Sequence, residues 1–357
     1  MKITVSLFLG LLFVSPVTAA SRQESGADKE VNSAPDLPRP LEIKTRLKTA
    51  LQGALMGLPS CDEDGNIYVR PYVSQSKAAR SSFESPVQRI KPDGNLGEVF
   101  KNSTLDGEKL AATEIAVNAE GGVYQVGWTQ DKDHDVYVTS FAKDGSVKAR
   151  TKLETEFFQP HHLAVFKSGE FLLSGTKGKD QHTPYTAVFS PDGKLLEEVV
   201  EPEDKEIESK AKSGEKGYVL KESPNFFGNI AVTLGGAVSG ADGNVYLGRA
   251  TSPALIYVVS PSGEVVRKLR IDAGRSGYVV GSIRPFKGGL AIAFGPPLGR
   301  ITSTIIKIVT YSGDPVAAYE LTENPLTPHS LACYAEGSFT FVSTSRDNNV
   351  YVYTAVP

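Results

Sequence analysis

Sulfur and imidazole are scarce in this chain: two cysteines, two methionines and five histidines serve 357 residues. Cys61 and Cys333 allow one bridge at most, so this is no small disulfide scaffold. No Gly-x-Ser-x-Gly element and no glycine-rich phosphate loop occurs, so the nucleophile-elbow hydrolases and the P-loop enzymes lack their signatures here. An excess of either charge is missing too. With 38 basic and 41 acidic residues the net charge is −3, which gives no overall attraction to nucleic acid or anionic lipid. The one long apolar run, Ile3–Val14, falls short of the about 18–20 residues that a spanning helix needs.

That run sits between Lys2 and the small residues Val17-Thr18-Ala19-Ala20, the pattern of a cleavable secretory signal over residues 1–20. No cysteine follows at Ser21, so a lipoprotein anchor is not indicated, and the expected location is secreted or periplasmic. Residues 21–40 are polar, hold three prolines and are expected to form a flexible leader.

What the rest of the chain has in quantity is turns. Glycines of a first turn recur at 65, 121, 169, 243, 288 and 337, and those of a second at 94, 145, 193, 263 and 313. Between them run short stretches of alternating β-branched and aromatic residues, the signature of strands and hairpins. In Ala241–Leu269, ADGNVYLGRATSPALIYVVSPSGEVVRKL, a strand precedes the first turn and three follow it. A period near 50 residues with four strands per unit predicts an all-β, six-bladed β-propeller of four-stranded antiparallel blades. Each blade is apolar on both faces and buries them only against its neighbours, so residues 41–357 form one domain.

The sixth copy stops one strand short, at Tyr351–Pro357. Leu41–Lys48 alternates Leu41, Ile43, Thr45 and Leu47 against charged residues and has no hairpin partner in sequence. It is expected to close the ring as the outer strand of the last blade. Leu47–Met56, readable as a helical turn, is assigned to strand by its place in the repeat. Glu201–Pro224 interrupts the period as a charged insertion, a solvated excursion by default.

The repeats ADGNVYLGRA and AEGGVYQVGW, followed by SPSGEVVRKL and AKDGSVKART, resemble those of exported six-bladed propellers of the NHL-repeat type. The resemblance covers residues 41–357 and implies the blade architecture. Enzymes, receptors and scaffolds share that fold, so function rests on particular residues.

In this topology one face of the ring carries the loops between blades and those joining second and third strands. Eight residues before each first-turn glycine stand Gly57, Thr113, His161, Gly235, Val280 and His329, where each innermost strand begins at the channel mouth. His161 and His329 belong to opposite blades, and Glu114 occupies the place of His162. Two imidazoles and a carboxylate suggest a metal site. Propeller lyases acting on amidated-peptide precursors, which this arrangement resembles in part, set a histidine from several blades around a channel zinc. No third blade offers one here, and no metal or other cofactor is assigned. The residues of calcium-dependent lactonase propellers find no counterpart set, and Asp131, Asp133 and Asp135 lack the rest of a calcium loop. Arg70, Arg249, Arg300 and Arg346 follow second strands on the loop face and would suit a carboxylate, phosphate or sulfate, or an acidic protein surface.

The reading is therefore a monomeric exported binding module that recognises a protein partner or anionic ligand through its loop face. The alternative is a lyase or hydrolase using the channel-mouth histidines. Cys61 and Cys333 both lie four residues before a first-turn glycine, so equivalent positions should point the same way round the ring. That predicts two buried, unpaired thiols, against the habit of exported proteins.

Overall fold

The computed structural model describes residues 29–30, 37–72, 86–102, 104–105, 108–129, 134–178, 183–200, 209–210, 213–214, 219–220, 236–296, 303–322, 326–335 and 337–357. The expected signal, most of the leader and most of the insertion lie outside them. So do Asp131, Asp133 and Arg300.

Six four-stranded antiparallel sheets follow one another in a propeller ring. Their innermost strands are Ala54–Cys61, Glu108–Val117, Phe158–Val165, Ala237–Ser239, Val279–Phe286 and Leu331–Ala335. Alternation explains the ring. In blade four Val245 and Leu247 face blade three, while Tyr246 between them faces blade five. The apolar core accordingly divides into six clusters, one at each joint between neighbouring blades.

The polar residues of the repeat are used in its turns. The Asp242 carboxylate accepts from the Asn244 side chain at 2.9 Å and from the Tyr246 hydroxyl at 2.8 Å. Asp62 does the same for Asn66 and Tyr68. The second-turn glycines hold φ between +81° and +89°, which a side chain would oppose.

Ring closure is as expected: Glu42–Gln52 pairs antiparallel with Asn349–Val356, Leu47 opposite Val352, and completes blade six. The chain bends at Gly53 and resumes as Ala54–Cys61, so Leu47–Met56 is strand on both sides of that bend. Two pieces of the 21–40 stretch also pair, each parallel to an outer strand: Lys29–Glu30 with blade four and Arg39–Pro40 with blade five. Among the described residues no helix is long and apolar enough to cross a membrane.

The cysteines depart from expectation. Cys61 and Cys333 form a disulfide, with 5.8 Å between their Cα atoms. The reason lies in the first turns. In blade one Cys61 pairs with Ile67 across a five-residue turn, as Val117 pairs with Val123 in blade two. In blade six Ala335 pairs with Ser338, and the shorter turn moves the register by one residue. Tyr334, opposite Phe339, takes the place of Cys61, and both face the preceding blade. Cys333 therefore faces the following blade, which is blade one. A one-residue shift exchanges the faces of a strand, and here it turns the two thiols toward each other.

Candidate functional site

An innermost strand has one edge paired and one edge on the channel, so a residue that slips out of register leaves the alternation of its neighbours. Among the described residues five innermost strands contain such a bulge at similar height. They fall between Met56 and Ser60, between Ala112 and Ile115, between Pro160 and His162, between Val280 and Ser282, and between Leu331 and Cys333. Bulges re-aim side chains and gather beside functional sites. The residues they carry include Gly57, Glu114, His161, Gly281 and Ala332.

Glu114 meets a partner from the blade before it. Arg70, at the end of a second strand, is 4% exposed, and its Nη2 lies 3.3 Å from Glu114 Oε1. Gly57 makes room for this pair. It holds φ +66°, and a Cβ there would come within 3.1 Å of Arg70 Nη2 and 3.4 Å of Glu114 Oε1. Burial raises the Glu114 pKa to about 7 although the guanidinium draws it down. Burial likewise lowers that of Arg70, with Glu114 opposing. The result is a proton-holding carboxyl poised near neutrality at the channel side of blade two.

His161 is the bulged residue of the next blade, half-buried, with its pKa lowered by desolvation. His162 is paired in the strand opposite Ser174. His329 precedes its strand and touches the bulge of blade five. It belongs to a single 3-10 turn, Pro328–Ser330, that precedes the innermost strand of blade six. The ring is exposed, and its Nδ1 donates to the Gly281 carbonyl at 2.9 Å. This Pro-His pair tethers the turn to blade five. Among the described residues no three of His, Cys, Asp and Glu gather as a metal site would require.

The arginines of the loop face are unlike one another. Arg249 is buried, with Nη1 at 3.4 Å from the Tyr257 hydroxyl. Arg346 is exposed in the turn between the second and third strands of blade six. Among the described residues Arg70 meets another of the predicted residues, Glu114. From the insertion, Val219–Leu220 pairs with Thr251–Ser252, in the loop between the second and third strands of blade four. It adds an element to the loop face.

Deeper in the channel is a small cavity of about 50 Å³, lined by innermost strands of all six blades. Arg284 lines it, a buried residue that counting from the turns passes over. Its signal in the sequence is faint: an arginine four residues before Gly288, where other copies carry valine, cysteine or serine.

A ring of six four-stranded blades about a narrow channel defines the protein's class: it is a six-bladed β-propeller. No protein-family model matches the sequence, and no curated protein matches it. Among solved structures, a member of the DUF4221 family from Bacteroides vulgatus aligns at 8% identity and TM-score 0.52, covering 89% of this chain and 98% of that one. A gluconolactonase from Xanthomonas campestris aligns at 12% identity and TM-score 0.46, covering 94% and 99%. At 8% identity the DUF4221 likeness speaks for the fold alone.

Proposed function

We propose that this is an exported, monomeric propeller of the NHL-repeat type that binds a protein partner or an anionic ligand through its loop face. The observation that carries the reading is the set of inner-strand bulges, which turns different side chains toward the channel on a rigid frame. Glu114 with Arg70 and the half-buried His161 make that mouth polar and asymmetric, as a recognition surface needs. The pairing of Val219–Leu220 with Thr251–Ser252 adds to the same face. The disulfide supports an oxidising location.

A second reading draws on one observation. A carboxyl whose pKa is raised to about 7, one blade from a histidine whose pKa burial lowers, suits acid–base work in a lyase or hydrolase.

Calorimetric titration with phosphate, sulfate and small carboxylates, and with the acidic proteins of the same compartment, tests the binding reading. Wild type should bind at least one with micromolar affinity, and His161→Ala with Arg346→Ala should weaken it at least tenfold. Indifference of every bound species to both substitutions sinks the loop-face assignment.

A further inference from the structure

One position on the innermost strands is filled differently in a single blade. The residues paired one step inside the first turn, or at its register equivalent, are Ser60, Ala116, Ala164, Val238 and Cys333 in five blades. All are small or apolar. In blade five the place belongs to Arg284, opposite Ala291.

Two of its three nitrogens are accounted for. Nε donates to the Leu331 carbonyl at 2.8 Å and Nη1 to the Ile283 carbonyl at 2.6 Å. Those bonds hold the guanidinium plane across the joint between blades five and six. Nη2 is buried and has no hydrogen-bond partner, and among the described residues no carboxylate pairs with the group. The residue is 4% exposed and lines the channel cavity. An unpaired buried charge is among the costliest arrangements a fold can keep, and native proteins pair such groups. Burial lowers the pKa only to about 10, so the guanidinium stays charged at neutral pH.

We propose that the lower channel binds a small monovalent anion, a halide or its equivalent in size, held by Nη2 of Arg284. The cavity's about 50 Å³ sets the class. One ordered water needs roughly 10–15 Å³ on this measure, so there is room for a halide with a few waters. A phosphate ester or a peptide carboxylate with its chain does not fit. Alternate backbone N–H groups on the channel edges of the innermost strands supply further donors around the ion. Water alone would satisfy the hydrogen bond and leave the charge unbalanced. This site is separate from the loop face, since Arg284 lies toward the glycine turns, and it stands whatever binds at the mouth.

The test replaces isethionate by chloride at constant ionic strength while the melting temperature of the whole protein is followed. Constant ionic strength removes general screening, and isethionate is a bulky, weakly coordinating anion. Wild type should gain about 4 °C at a hundredfold excess of chloride over its dissociation constant. Arg284→Met, of similar length and uncharged, should show no gain. Diffraction from wild-type crystals grown in bromide, recorded at the bromine edge, should place an anomalous peak beside Nη2, and this holds even if the variant does not fold. A wild-type melting temperature indifferent to chloride, an equal gain in the variant, or bromide peaks that avoid Nη2 would each overturn the proposal.

Discussion

Arg70 and Glu114 show how a single glycine can decide what a channel mouth contains. Gly57 sits in the left-handed region beside both charged ends, so an added methyl strains the backbone and crowds the pair. Gly57→Ala should cost about 1–2 kcal/mol in denaturant unfolding. The pair also carries a pH signature. The Glu114 pKa rises on folding, from 4.5 to about 7. Its contribution to stability is therefore whole below about 4.5 and is lost as pH rises through about 7. Glu114→Gln removes that dependence. From about pH 5 to about pH 8 the difference in melting temperature should move in the variant's favour. Parallel curves across that interval would show that the carboxyl titrates normally.

At the scale of strands, closure by Glu42–Gln52 is open to a truncation test. Loss of residues 21–38 removes the parallel pairing of Lys29–Glu30 and should leave thermal stability nearly unchanged. Loss through Lys48 strips blade six of most of its outer strand and bares its third strand, so the ring should unfold. If both truncations melt alike, the outer strand is dispensable. The blades, their boundaries and this closing strand were legible in the sequence because turn glycines and alternating apolar residues write directly into it. Register within a blade was not. Cys61 and Cys333 keep the same distance from a turn glycine, yet the turn between Ala335 and Ser338 is shorter and reverses the face that Cys333 presents. The bulges were hidden for a similar reason. One extra residue inside a strand leaves the composition unchanged, so nothing marked His161 or Glu114 as re-aimed, although their height in the ring was readable. His329 lies in a helical turn that the strand pattern did not foresee.

The whole ring is locked at one joint by two different means. The disulfide ties the innermost strands of blades one and six, and the closing strand completes blade six at its rim. The bridge spans 272 residues of sequence, and in the chain-entropy account a loop of that length contributes about 5.6 kcal/mol. Cys333→Ser should destabilise the protein by about 2–5 kcal/mol. Alkylation of the denatured, unreduced wild type should label neither cysteine. Two labelled thiols would show the bridge to be open.

That closing strand also sets an order in time. Glu42–Gln52 leaves the ribosome about 300 residues ahead of its partner Asn349–Val356. At about 5–20 residues per second the interval is roughly 15–60 s. Throughout it an alternating strand waits with nothing to pair with, while blades one to five can already stack upon one another. The nascent chain is then an open arc with two unfinished ends. Whatever guards the protein during its manufacture must guard that strand for the whole interval, because residues made some 300 positions later give it a place.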